Sequence, residues 1–414
     1  MLKRLMVILA IASAACDNTS SGSCPDADLQ SLSTTARFAV VTSDFSSSAV
    51  ALLDAQGELV TEAWIDSGTT SPGIAATLGG DIVLPTVPLG TNQLTLLQRD
   101  AGVVSRFDLS SGQVISSIQA RAQASFSPNP QDVIVGANET LWVSRFEPNL
   151  VPDAPSIDLG NDLLRIDAAS GIAQERIGFE SIDTMVGDQV VYARPSRMVQ
   201  ATSSMVVVGL ARLSADFTTT TTGAVALVNV NDKTVQLLEL SPTLRNCGEV
   251  VPGIVGGRLF VLCAGDTFAS TEEARRSGAG IVELEATNDT TVAIRSTWLA
   301  QSDTMAPIPG GALVAVGDGT VVYASRGDLD VQDPEDLVLL NLASGAYAVI
   351  AQSNNVFVFG SGSYSVTEDV LRVPSADAGI LRFTRDGASF SEASRLNVSP
   401  CRRLAPRSLS LLGF

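Results

Sequence analysis

LLRIDAASGIA (163–173) is an apolar run that ends on an aspartate, passes through three small residues to a glycine, and resumes as a second apolar run. Asp or Asn followed by Gly between two such runs is the signature of a β-hairpin, because the turn needs backbone that Gly adopts without steric cost. The same phrase recurs along the chain as VALLDAQGELV, VSRFDLSSGQVI, ALVNVNDKTVQL, VELEATNDTTVAI, VLLNLASGAYAVI and LRFTRDGASF. Aligning Gly57, Gly112, Gly171, Lys233, Asp289, Gly345 and Gly387 gives steps of 55, 59, 62, 56, 56 and 42 residues. A repeat of that length accommodates four strands and one long loop.

Upstream of most hairpins lies a second pair of short Val, Ile, Leu and Ala runs meeting at Gly, Asn or Asp: GIAATLGGDIVLPTV, VIVGANETLWVSR, GIVGGRLFVLC and GALVAVGDGTVVYAS. Each repeat therefore reads as a four-stranded antiparallel meander. No sustained 3.6-residue pattern competes, apart from one turn near TEEARRS, so the expected class is all-β. A single meander cannot hide both faces, whereas radial packing gives each sheet two neighbours. The expected fold is a seven-bladed β-propeller over 36–414, with eight blades as the alternative. The first hairpin lacks an inner strand and the chain ends in an unpartnered RSLSLLGF, so the C-terminal strand is expected to complete the first sheet.

The chain opens MLKRLMVILAIASAAC: a basic start, an apolar run and small residues before Cys16. That order marks an export signal. SAAC resembles the bacterial lipoprotein signal, which implies cleavage after residue 15 and lipidation of Cys16, although Ser13 stands where the pattern usually has Leu. Residues 16–35 are then expected to form a flexible tether. The remaining cysteines, Cys24, Cys247, Cys263 and Cys401, are an even set suited to an oxidising compartment. Of their three pairings, Cys247 with Cys263 as a local clasp and Cys24 with Cys401 joining the chain ends are favoured.

The formal charge is −18, with no histidine. A polyanion repels phosphate backbones, which argues against nucleic acid as a partner. Without histidine there is no Ser/His/Asp triad, and neither a phosphate loop nor a dinucleotide fingerprint occurs. The chain's length is concentrated in loops between second and third strands, such as SRFEPNLVPDAPSIDLGND, and these carry Asp158, Asp162, Asp333, Glu335 and other acids. Asp328, Asp330 and Asp333 are the best candidate Ca2+ ligands, since calcium takes carboxylate oxygens in flexible geometry. Arg145, Arg212 and Arg326 recur where second strands end and are a candidate binding face, able to grip a carboxylate or phosphate.

The repeat rhythm resembles bacterial β-propeller proteins of the YVTN and quinoprotein-like type, without a diagnostic blade motif. The resulting expectation is an exported, lipid-anchored module of the cell envelope that binds a protein, peptide or glycan and is more a scaffold than an enzyme. The alternative is a calcium-assisted hydrolase or lyase using carboxylates near the propeller axis.

Overall fold

The computed structural model describes residues 24, 26, 27, 29–32 and 36–413, apart from 137, 138, 268, 270, 289 and 328–332. The expected signal and Cys16 lie outside the described residues. Seven four-stranded antiparallel sheets follow one another along the chain, with one additional three-stranded sheet. The hairpin of residues 163–173 joins strands Gly160–Asp167 and Ala173–Gly178 at the outer edge of the third sheet. Its turn forms for local reasons: Gly171 has φ 71°, its N–H donates to Asp167 O at 2.9 Å, and Asp167 Oδ1 accepts from Ser170 N at 2.7 Å. Asp108 with Gly112 and Asn341 with Gly345 repeat the arrangement.

The sheets pack face to face, and the packing follows the two-residue period of the strands. Seven apolar clusters fill seven seams, each drawing on two consecutive sheets. Val206 and Val208 of the fourth sheet point to the seam with the third, while Val207 between them points to the fifth. Residues buried on both faces explain why the inner strands read as unbroken apolar runs instead of alternating ones. The seventh cluster joins Ile380 of the last sheet to Phe38, Val40 and Leu409 of the first.

The first sheet is completed from the far end of the chain. Strand Ala405–Leu411 pairs antiparallel with Ala36–Ser43, from Phe38 opposite Leu411 to Ser43 opposite Ala405. Cys24 is bonded to Cys401 across the same junction, and Cys247 to Cys263 within the fifth repeat. The architecture is thus an all-β propeller of four-stranded antiparallel sheets.

One element was not legible in the sequence. Strands Thr184–Val186, Gln189–Tyr192 and Leu213–Ser214 form the small extra sheet inserted around the fourth repeat. Its strands are two to four residues long and partly exposed, too short to carry a period. Arg194 fixes it: the guanidinium donates to Leu213 O and Ser214 O, pairs with Glu147 at 2.6 Å, and lies 4.1 and 5.0 Å from the Phe217 and Phe146 ring centroids.

Candidate functional site

The three arginines expected to form a binding face are each hydrogen-bonded to neighbouring loop groups. Arg145 is wholly buried: Nε and Nη2 grip Asp162 at 2.7 and 2.6 Å, Nη1 reaches Asp158 at 3.3 Å, and Nη2 also donates to Ile157 O. Arg212 is buried as well, donating to Thr222 O and Thr184 Oγ1. Arg326 donates to Thr267 O at 2.6 Å. Each holds a nearby loop, because an arginine fork leaving a strand end meets the carbonyls and carboxylates of the returning chain before it meets solvent.

The acids divide in the same way. Asp158 and Asp162 are buried beside Arg145, and Asp158 also accepts from Ala122 N and Gln123 N in the segment between the second and third sheets. Glu335 is buried too and accepts from the N–H groups of Phe357, Val358 and Phe359, tying the sixth repeat to the seventh. These three belong to the scaffold, not to an open acidic rim. Of the expected calcium ligands, Asp333 is exposed, while Asp328 and Asp330 lie outside the described residues.

The feature that gathers chemistry is the axis. First strands of the sheets converge there on a cavity of about 130 Å³, to which six of the seven four-stranded sheets contribute. Its polar lining includes Arg197, Glu249, Thr86, Ser363, Ser408 and Ser410, set among leucines, prolines and a valine. Arg197 comes from strand Pro195–Gln200 and Glu249 from Glu249–Pro252, so their neighbourhood is a product of sheet packing. Arg197 Nε stands 3.9 Å from Glu249 Oε1, and the side chains are 13% and 32% exposed. Arg197 Nη1 donates to Leu84 O and Gln131 O at 3.0 and 2.8 Å, leaving Nη2 without a hydrogen bond among the described residues.

Behind this pair lies Asp132, fully buried. It accepts from Thr86 N, Thr86 Oγ1 and Met198 N at 3.0, 2.6 and 2.8 Å, joining the second, third and fourth sheets. Burial pushes its carboxyl above the ordinary aspartate range, and the nearby Arg197 charge works in the opposite direction. Asp132 therefore fixes the strand that carries Arg197. Sequence reading missed Asp132, Arg197 and Glu249, which lie 65 and 52 residues apart in three repeats. The available signal was positional: each is the one charged residue of a short first strand.

The axial lining does not suit a calcium ion, which takes six to eight oxygen ligands. It offers one carboxylate, with a guanidinium beside it that repels a cation. Elsewhere, Cys24, Cys401 and Glu62 place three ligand-type atoms within 4.8 Å of one another. The two sulfurs are bonded to each other, and thiolate is the metal-binding form of cysteine. Glu62 itself accepts from Cys401 N and pairs with Arg402.

No family model matches the chain, and no curated protein matches its sequence. Solved structures do match in fold. The periplasmic gluconolactonase PpgL of Pseudomonas aeruginosa shares 13% identity over 91% of this chain and 99% of its own, with a TM-score of 0.54. A candidate 6-phosphogluconolactonase of Bacteroides fragilis shares 10% over 92% and 98%, with 0.54. A protein from Lactobacillus plantarum shares 12% over 91% and 99%, with 0.57.

Identities this low show the fold alone, a β-propeller similar to those structures; they do not single out the YVTN or quinoprotein-like type. They also correct the expectation that the chain is more a scaffold than an enzyme. That reading leaned on the missing histidine and triad, whereas the same fold, over nine-tenths of the chain, is found in proteins described as lactonases. A propeller axis equipped with a carboxylate and a guanidinium has the means for hydrolysis without histidine.

Proposed function

We propose that the chain is a seven-bladed propeller hydrolase that opens a small cyclic ester at the axial cavity. The observation that carries this reading is the Arg197 and Glu249 pair, 3.9 Å apart in a cavity lined by apolar side chains and hydroxyls. In this mechanism Glu249 accepts a proton from water as its oxygen bonds to the ester carbonyl carbon. Arg197 Nη2 donates to the carbonyl oxygen as negative charge develops there. Collapse of the tetrahedral intermediate breaks the ring C–O bond, and the proton held by Glu249 passes to the departing alkoxide. The product is a hydroxy acid.

The test is hydrolysis of δ-gluconolactone by the purified protein, corrected for the spontaneous rate, with and without added calcium or chelator. Turnover that falls at least 100-fold in Glu249→Gln is expected. A rate equal to the spontaneous one, or unchanged in the variant, overturns the reading. Dependence on calcium would move catalysis away from Glu249 as base and toward the loop acids Asp328, Asp330 and Asp333.

We further propose export and anchoring through a lipidated Cys16, supported by the leader sequence and by two disulfides that suit an oxidising compartment. Mass spectrometry of the membrane-extracted protein checks this: a diacylglycerol-modified N-terminal cysteine is expected, and an unmodified soluble protein overturns it.

A further inference from the structure

The axial cavity is electrically balanced. Arg197 is the one cation among its lining residues and Glu249 the one anion, and they stand side by side. Every other polar side chain in the lining is a hydroxyl, from Thr86 and four serines. Ser408 is only 8% exposed, and its Oγ makes no hydrogen bond among the described residues. That oxygen has almost no surface open to the cavity, so the serine hydroxyls left to meet a ligand are those of the half-buried Ser361, Ser363 and Ser410.

We infer that the cavity takes an uncharged, polyhydroxylated ligand the size of one ring, and discriminates against its phosphorylated counterpart. This rests on the axial cavity being the substrate site proposed above. A sugar hydroxyl both donates and accepts, which matches a lining of serine and threonine hydroxyls with one donor fork and one acceptor carboxylate. A phosphate ester placed there would meet Glu249 and find a single cation among the lining residues, Arg197, whose charge that carboxylate already faces. The surrounding protein, at −18, adds to the repulsion.

Size points the same way. A water takes about 30 Å³ in the liquid, so about 130 Å³ has room for roughly four waters or a single ring. Two linked rings would project from it.

The test uses ring compounds that have no ester and so cannot turn over: 1,5-anhydroglucitol and its 6-phosphate, titrated by calorimetry against the full protein. Saturable binding of the neutral ring is expected, with the phosphate at least tenfold weaker. Ser363→Ala should weaken the neutral ring several-fold while leaving the melting temperature unchanged, since its hydroxyl makes no hydrogen bond among the described residues; Ser410→Ala provides a second variant if the first fails to fold. Equal or tighter binding of the phosphate overturns the inference, as does failure of the neutral ring to bind. Because neither compound contains an ester, neutral-ring binding without gluconolactone turnover would reject the hydrolase reading alone. Turnover with phosphate preference would reject the ligand class alone.

Discussion

Arg145 and Asp162 form a two-pronged pair, Nε to Oδ1 at 2.7 Å and Nη2 to Oδ2 at 2.6 Å, with neither side chain exposed to solvent. Asp162 is shared with Arg176, whose Nε is also 2.6 Å from Oδ2. The long loop between Pro148 and Gly160 is therefore anchored from beneath and is not a free strap. Removing one partner of a buried pair strands the other's charge, which costs about 3–5 kcal/mol. Arg145→Ala is expected to lose stability on that scale in urea unfolding, and lactone hydrolysis at saturating substrate should be unchanged in whatever fraction stays folded.

Asp132 leads to a sharper substitution. Its two oxygens face only donors, Thr86 N and Oγ1, Met198 N and its own neighbour Val133 N. An asparagine amide would point N–H toward N–H. Asp132→Asn should therefore destabilise by about 1–3 kcal/mol per mismatched donor, read as a lower denaturation midpoint, and should weaken axial-ligand binding because the Arg197 strand loses its tie.

Glu335 gives a pH dependence. Burial pushes its carboxyl above the ordinary value of 4.5, against the pull of three backbone N–H groups. The native state then keeps this proton at a pH where the unfolded chain has released it. Its contribution to stability is full below the unfolded value and is lost as pH rises through the folded one. Unfolding free energies measured from pH 4 to 7 in wild type and Glu335→Gln should show a downward slope belonging to Glu335 that is missing in the variant; parallel profiles would contradict the assignment.

The two disulfides should differ in weight. Cys24 and Cys401 are 377 residues apart and Cys247 and Cys263 only 16. In the chain-entropy model the longer loop is worth about 5 kcal/mol or more and the shorter about 3. Replacing both cysteines of a pair by serine and comparing urea midpoints is expected to show the larger loss for Cys24 and Cys401.

Arg145 marks where reading the chain stopped being sufficient. Its recurrence with Arg212 and Arg326 at strand ends was visible, but exposure was not, because a guanidinium at the head of a loop can turn outward or be covered by the loop's return. The same holds for Glu335, a loop acid in sequence and a buried anchor in space. Arg197 and Glu249 went unread for a different reason: they are isolated charges in short strands, and what makes them a pair is the convergence of separate sheets.

The sequence by itself determined the local architecture. Asp and Gly at fixed offsets dictate hairpin turns through φ and side-chain capping, apolar runs on either side dictate strands, and their spacing dictates the repeat. The return of RSLSLLGF to the first sheet followed from counting strands. Tertiary structure decided everything that depends on which repeats touch: the seven seams, the covering of Arg145, and the meeting of Arg197 with Glu249. Turn chemistry is a matter of four or five neighbouring residues, whereas the axial site exists only when strands some 50 residues apart or more are brought side by side.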